Sequence, residues 1–191
     1  MKNHVTALYQ EIIETLSDEA LPENPVAYES LRRKLSNLTL HKPAGKAKTE
    51  FMAVLGGKTF RMQENVMGIE KVSFVFGENS GIFRYVNQRG EKEIPFGYGE
   101  YMECKFPETH YSADTIGTPK GEGYRTLSVG VWPGEKEFVL RANIVDDYFG
   151  NLTISCGFND DTIGLTMDKT AEGFLEDYQG IAGGFEEKEQ N

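Results

Sequence analysis

Several residue types and patterns that mark well-known classes of protein are scarce in this 191-residue chain. It has only two cysteines, Cys104 and Cys156, and their spacing matches neither a metal site nor a redox motif, so no disulfide scaffold is expected. The three histidines, His4, His41 and His110, lie far apart, and a metal site needs several ligands at suitable spacing. We therefore expect no metal ion and no cofactor.

Long apolar runs are also missing from the sequence. No segment approaches the roughly 20 apolar residues that a membrane-spanning helix needs. The N-terminus lacks a basic stretch followed by an apolar run, so we expect no signal peptide and favour a cytoplasmic location. Positive charge is in short supply, because 20 Lys and Arg stand against 30 Asp and Glu, for a formal net charge of -10. Nucleic acids are bound mainly through cationic side chains, so no nucleic-acid partner is expected.

Alternating apolar residues dominate the region from Leu127 to Met167. A period of two is typical of half-buried β-strands, whose successive side chains leave opposite faces. Short segments rich in Gly, Pro, Asn and Asp separate four such strands, so the pattern predicts an antiparallel meander with one apolar face. The predicted inward residues are Leu127, Val129 and Val131, then Phe138, Leu140, Ala142 and Ile144, then Leu152, Ile154, Cys156 and Phe158, then Ile163, Leu165 and Met167.

Three aromatic residues are candidates for a ligand site or an interface. Trp132 is out of phase with Val129 and Val131, so the pattern predicts that it faces away from the main apolar side or ends the strand. Tyr98 and Tyr101 flank a glycine-rich bend. Side chains of this kind can line the mouth of a barrel that holds an apolar ligand, or they can cap the core or lie at a domain interface.

The face opposite the predicted apolar side carries small uncharged residues. Such residues allow something flat to lie close, and we expect an arm helix or a partner to cover part of this face or an adjoining edge. The alternative is that small β-formers are simply tolerated outside, because β-propensity depends on context. The residues are Thr126, Ser128, Gly130, Thr153, Ser155, Gly157, Gly164 and Thr166.

The first 45 residues differ from the rest and predict a helical arm. Apolar residues from Val5 to Leu16 follow the spacing of one helical stripe. A second helix is predicted from Pro25, with Asn24 as its N-cap. The apolar side of this second helix would be formed by Ala27, Leu31, Leu35 and Leu38.

About nine strands are predicted between residues 58 and 167, most of them joined by short links. This count favours a closed or nearly closed antiparallel barrel, since closure removes exposed edges, although a two-sheet sandwich is an alternative. The predicted fold class is mainly β, a barrel of about eight to nine strands preceded by a two-helix N-terminal arm. The predicted domains are the arm at 1–45, the barrel at 46–185 and a disordered tail at 186–191.

Several stretches together resemble a known family. The chain is similar to the C-terminal region of bacterial β-lactamase-related serine hydrolases, the penicillin-binding-like group. In that group a catalytic domain is followed by a short helical arm and a lipocalin-like β-barrel, so the resemblance implies a lipocalin-like barrel here. The stretches that carry it are residues 21–25 with Leu31, Leu35 and Leu38, residues 43–45, residues 57–65 and 68–74, and residues 94–100.

The catalytic motif of that group is missing from this chain. The family uses Ser-x-x-Lys, in which the lysine helps to activate the serine nucleophile. None of the eight serines here is followed three positions later by lysine, so no catalytic residue carries over and the chain is not expected to be an enzyme. The resemblance implies a non-catalytic accessory domain that packs beside the catalytic domain of the same parent hydrolase or modulates its substrate access. Self-association is the alternative to that intramolecular partner. The alternative is a lipocalin-like module that binds a small hydrophobic ligand, and an enzyme using barrel carboxylates ranks lowest.

Overall fold

The computed structural model describes residues 22–107, 124–145, 149–170 and 178–188, together with Tyr9, Ile13 and Leu16. The chain divides into two compact units, Met1–His41 and Lys42–Asn191. The predicted domain bounds at residues 45 and 185 stay predictions. The elements are α1 (Pro25–Ser36), α2 (Phe51–Leu55), β1 (Thr59–Met62), β2 (Ile69–Phe76), β3 (Ser80–Asn87), β4 (Gly90–Tyr98), β5 (Met102–Phe106), β6 (Tyr124–Gly134), β7 (Glu137–Val145), β8 (Phe149–Asn159), β9 (Thr162–Lys169) and β10 (Gly180–Glu186).

The first unit contains α1, which is the second predicted helix of the arm. The Asn24 side chain accepts a hydrogen bond of 3.0 Å from the backbone N–H of Ala27, and Pro25 occupies the first turn. Both features match the predicted start of the helix. No residue of α1 is buried, although one side of the helix carries apolar residues such as Leu31 and Leu35. The first predicted helix lies outside the described residues apart from Tyr9, Ile13 and Leu16.

The ten strands of the second unit form one sheet in the order β4-β3-β2-β1-β10-β9-β8-β7-β6-β5. Strands adjacent in this order are antiparallel. A short parallel pairing between β4 and β6, which joins Gly97 to Val129 and Tyr98 to Gly130, closes the sheet into a barrel. The predicted fold class, mainly β with a lipocalin-like barrel, is confirmed.

The nine strands predicted from the sequence correspond to β1–β9. β10 was not predicted, and it lies between β1 and β9 in the sheet. Three of its seven residues, Gly180, Gly183 and Gly184, are glycines, which weaken the alternation of apolar and polar side chains. The last strand of the chain is therefore an interior strand of the sheet.

Connections alternate between the two ends of the barrel because neighbouring strands are antiparallel. We call the end at which β1 begins the helix end, because α2 directly precedes β1. The helix end also carries the β2–β3, β4–β5, β6–β7 and β8–β9 connections. Leu55 of α2 is fully buried, and the Phe51 ring lies 5.5 Å from Phe158 and 6.3 Å from Trp132, centroid to centroid. The opposite end, which we call the loop end, carries the other five connections between strands.

The predicted inward face is confirmed for β7, β8 and β9. Cross-strand partners such as Leu140 and Ile154, or Ile154 and Met167, share a face and are buried. The prediction is wrong for β6, because Gly130 pairs with Leu140 and therefore faces inward, while Val129 and Val131 face outward. Val129 is nevertheless 0% exposed, so β6 is buried on both faces, and a strand of that kind gives no reliable alternation.

Thr126, Ser128 and Gly130 were predicted to lie on the outer face, and that prediction is wrong, because they pair with inward residues of β7 and face the interior. The Ser128 hydroxyl donates to the carbonyl oxygen of Pro95, and the Thr126 hydroxyl donates to the carbonyl oxygen of Tyr124 at 3.0 Å. A Cβ atom at Gly130 would lie 2.4 Å from Cδ2 of Phe96, so this position needs glycine for the ring to pack against the strand.

Candidate functional site

The helix end of the barrel interior is packed with aromatic rings. Trp132, predicted to face away from the apolar side or to end the strand, is only 1% exposed and lies in the core, and β6 continues to Gly134, so that prediction is wrong. Trp132 and Val129 do lie on opposite faces of β6, as the pattern predicts, but the inner face is the one that carries Trp132. Its ring centroid lies 5.1 Å from that of Phe138, and reciprocal backbone hydrogen bonds of 2.8 and 2.9 Å join Trp132 to Lys46. Other rings packed at this end are Phe51, Phe74, Phe76, Phe96 and Phe158.

The loop end of the interior mixes aromatic rings with methionine and aliphatic side chains; Phe106 is fully buried there, and Met62 and Met67 are buried too. Two hollows that open to the surface lie at this end. One, of about 220 Å³, is lined in part by Met67, and the other, of about 410 Å³, is lined mainly by polar and charged residues such as Arg61 and Glu64. Methionine side chains adapt readily to irregular neighbours, so Met62 and Met67 can adjust when a neighbour changes.

Two tyrosines form the polar feature of the loop end. Tyr85 comes from β3, and Tyr178 comes from the connection between β9 and β10; they are 1% and 4% exposed. Their hydroxyl oxygens lie 2.5 Å apart, and their rings are nearly perpendicular with centroids 6.0 Å apart. The Tyr178 ring also packs against Phe106 with a centroid distance of 5.7 Å. A side chain from a connection, rather than from a strand, thus occupies the interior at this end.

Tyr98 lies at the helix end, away from the tyrosine pair. Its hydroxyl lies 2.8 Å from the carbonyl oxygen of Ser80 and 3.1 Å from that of Gly77, so it joins β4 to the β2–β3 turn. Desolvation raises the pKa of Tyr98, and the hydrogen bond to Gly77 opposes that rise. The Lys48 ammonium group lies 4.8 Å from the centre of the ring.

Tyr101 lies on the outer surface. Its hydroxyl accepts a hydrogen bond of 3.1 Å from Nδ2 of Asn143 on β7. Because Tyr101 directly precedes β5 and β6 lies between β5 and β7, the tyrosine reaches across the outer face of β6. The structure therefore does not bring Tyr98, Tyr101 and Trp132 together, and their role as ligand or interface residues stays a prediction.

The described residues offer little for nucleophilic or metal chemistry. Burial raises the pKa of the Cys156 thiol far above its usual value. Desolvation also raises the pKa of the Cys104 thiol, and a hydrogen bond between Cys104 and Ser128 opposes that rise. A thiol reacts as the thiolate, so neither group is activated at neutral pH. No group of three or more potential metal-ligating side chains occurs within the described ranges. Among the helices described, none has the length and apolar character to cross a bilayer.

Sequence reasoning missed both members of the tyrosine pair. Tyr85 carries a usable signal, because it alternates with Phe83 along β3 and the two rings stack at 5.7 Å. Tyr178 carries none, because it precedes a glycine-rich strand and lies in no periodic segment. Its position in the core depends on a tertiary contact that no local pattern encodes.

Comparisons with known proteins find solved structures with a similar fold and do not assign a function to this chain. No family model matches the chain, and no curated protein matches it. A Schistosoma mansoni fatty acid binding protein in complex with arachidonic acid is similar in structure, with 14% identity, 72% of this chain and 98% of that chain covered, and a TM-score of 0.46. A fatty acid-binding protein from Drosophila melanogaster brain has 10% identity, coverage of 70% and 99%, and a TM-score of 0.44. The Manduca sexta fatty-acid-binding protein has 14% identity, coverage of 70% and 99%, and a TM-score of 0.38.

Proposed function

We propose that the barrel binds a small, mainly apolar molecule carrying one hydrogen-bonding group, in the loop-end half of its interior. The observation that carries this proposal is the Tyr178 side chain. It fills core space from a connection between strands, and its hydroxyl meets that of Tyr85 within an apolar interior. A ligand that displaced the Tyr178 ring would gain an apolar site and a phenol as hydrogen-bond partner.

The chemistry of the site favours a ligand with a polar head and an apolar body. Burying a polar group in this interior is costly unless it finds a hydrogen bond, and Tyr85 would supply one. The body would lie among Met62, Met67 and Met167, which are all buried and can adjust to its shape. Sites for small molecules are usually of this kind, apolar with a few placed polar groups.

Titration of a polarity-sensitive naphthalene sulfonate dye, with displacement by straight-chain carboxylic acids, tests the proposal. We expect Tyr178→Ala to bind the acids several-fold more tightly than the unmodified chain, because the ring no longer has to be displaced. We expect Tyr85→Phe, made in the Tyr178→Ala background so that no bond to Tyr178 is lost with it, to weaken binding by about 2- to 10-fold, the value of one hydrogen bond. The loss of affinity caused by Tyr85→Phe should not occur for a hydrocarbon of the same length, because a hydrocarbon has no polar head to bind the hydroxyl.

Tyr98→Phe is the matched control, since it removes a tyrosine hydroxyl that bonds the backbone at the other end of the barrel. Its affinity for the acids should equal that of the unmodified chain. Absence of displaceable dye from both the unmodified chain and Tyr178→Ala would show that the interior is only a packed core.

A second candidate function is the accessory domain that the sequence resemblance implies. The observation that favours it is α1, whose apolar residues Leu31 and Leu35 are more than half exposed and so offer an apolar side to another domain. Such a domain would contribute no nucleophile of its own. The proposal places the chain beside a serine hydrolase domain whose substrate access it shapes.

A fluorescent penicillin followed by a denaturing gel tests the catalytic part of that candidate. We expect no covalently labelled band from this chain alone, because no serine is followed by lysine at the third position. A penicillin-labelling serine hydrolase run on the same gel is the control. A band that disappears when one serine of this chain is replaced would contradict the prediction.

A further inference from the structure

The outer face of β8, β9 and β10 has a glycine row across it. Gly157 pairs with Gly164, and Gly164 pairs with Gly183, so the three lie side by side on neighbouring strands. A Cβ atom at Gly157 would meet no other atom within 4 Å, and one at Gly164 would meet only the carbonyl oxygen of Gly157, at 4.0 Å. No side chain of the described residues therefore covers Gly157 and Gly164, which form a shallow depression in the outer face. At Gly183 the amide oxygen of Gln63 lies over the row, 3.0 Å from the place of a Cβ atom.

Exposed apolar side chains stand beside the glycine row. Phe185 and Ile181 lie two residues to either side of Gly183 on β10, and they are 54% and 75% exposed. The residues paired with them on β9 are Thr162 and Thr166, and a serine and an asparagine complete the two flanking rows on β8. This block of the outer face, which we call the β10 face, contains no charged residue, although 26% of the chain is charged.

The charges that border the β10 face next to Phe185 are paired with one another, with a slight excess of cations. Lys58 lies 2.5 Å from Glu186, and Lys188 lies 2.7 Å from Asp161. Arg61 and Lys71 both lie against the same acid, Glu187. Four cations thus meet three acids here, in a chain whose formal net charge is -10. Two copies of an acidic protein repel each other least where such a surface meets its own counterpart.

We propose that the β10 face is the contact surface of a homodimer, with a second copy of this chain as its occupant. An isologous contact places the same residues on both sides of a two-fold axis, so Phe185 of each copy lies over the glycine row of the other. The bulky ring supplies the ridge and the glycines supply the depression, which makes the surface complementary to itself. The charges at the border are paired within each copy, so little net negative charge there opposes the approach of a second acidic chain.

An open groove beside the β10 face can extend the contact. Phe185 forms one wall of this groove of about 890 Å³, which runs over β1 past Lys58 and Arg61. A stable dimer typically buries about 800 Å² on each partner. A second copy seated on the β10 face can therefore add the groove to its contact.

Sedimentation equilibrium of the full chain over a range of concentrations tests the homodimer. We expect a monomer–dimer equilibrium whose dissociation constant rises at least about 30-fold in Phe185→Glu, as for an interface hot spot. Gly164→Glu should have a similar effect, because its side chain has room in the monomer and fills the depression that receives the partner's ring. Added salt should strengthen the dimer, because it screens the repulsion between two acidic chains.

Val75→Glu is the matched control, since it places the same charge on an exposed apolar residue of β2 away from the β10 face and should leave the equilibrium unchanged. Circular dichroism checks that each variant is folded. A monomer at every concentration would overturn the proposal. So would a dimer that survives Phe185→Glu and Gly164→Glu but dissociates in Leu35→Glu, since α1 would then be the contact.

Discussion

Replacing Trp132 with alanine is expected to lower the free energy of unfolding by about 3–5 kcal/mol, the usual cost of removing a large buried aromatic side chain. Trp132 is almost fully buried, and its ring contacts Phe51, Phe76, Phe138 and Phe158. Those rings are held by α2 and by three different strands, so they cannot all move in to fill the space. Urea unfolding followed by circular dichroism measures the effect, because the variant has no other tryptophan for fluorescence.

Trp132→Phe is the companion variant. It keeps an aromatic ring in contact with Phe138 and should cost clearly less than the alanine variant. The indole N–H of Trp132 has no hydrogen-bond partner among the described residues, so its removal adds no penalty of its own. A loss below about 1 kcal/mol for Trp132→Ala would show that the ring is not packed as described, since values that small are typical of partly exposed sites.

Truncating Leu140 or Ile154 to alanine is the second large effect, with an expected loss of about 2–5 kcal/mol each. Both residues are 0% exposed, and they are cross-strand partners on the inner face of β7 and β8. Chemical denaturation with parallel fits of the midpoint and the slope measures the change. Because the two side chains are neighbours, the loss in the double variant should differ from the sum of the two single losses.

Thr166→Ala is the control for the inner-face variants, because its side chain is on the exposed outer face of β9 and should change stability by no more than about 0.5 kcal/mol. Thr153→Ala should cost somewhat more than that, since the Thr153 hydroxyl accepts a hydrogen bond of 3.0 Å from Arg141. Equal losses for the inner-face and outer-face variants would contradict the register of β7–β9.

The sequence predicted the β7–β9 part of the barrel well because each of those strands has one buried face and the links between them are short. It failed on β6, where small or polar residues such as Ser128 and Gly130 face inward while Val129, on the outer face, is fully buried. It missed β10 because glycines replace the side chains that would have shown a period of two. Local patterns report which face of a strand is apolar, and they do not predict the inner face where the outer face is buried too or where neither face is apolar.

The candidate site was harder to predict than the fold. Tyr98 and Tyr101 were candidates because they flank a glycine-rich bend. In the structure the Tyr98 hydroxyl binds the β2–β3 turn, and the Tyr101 hydroxyl binds Asn143. Tyr85 and Tyr178 are separated by 93 positions in the chain and meet only because β3 and the β9–β10 connection converge at the loop end. Such a pair forms only through tertiary contacts, and the spacing of residues in a single sequence does not predict it.

The position of β10 has a consequence for how the chain can fold as it is synthesised. β1–β4 form one group of sequence neighbours and β5–β9 form another, and each group can assemble from local hairpins as it leaves the ribosome. The two groups are joined only by the short pairing of β4 with β6 and by β10, which pairs with β1 on one side and β9 on the other. Until β10 is made, the two groups are joined by the β4–β6 pairing alone. A stop codon between residues 170 and 179 would remove β10 from the middle of the strand order and leave both end strands, β4 and β5, in place.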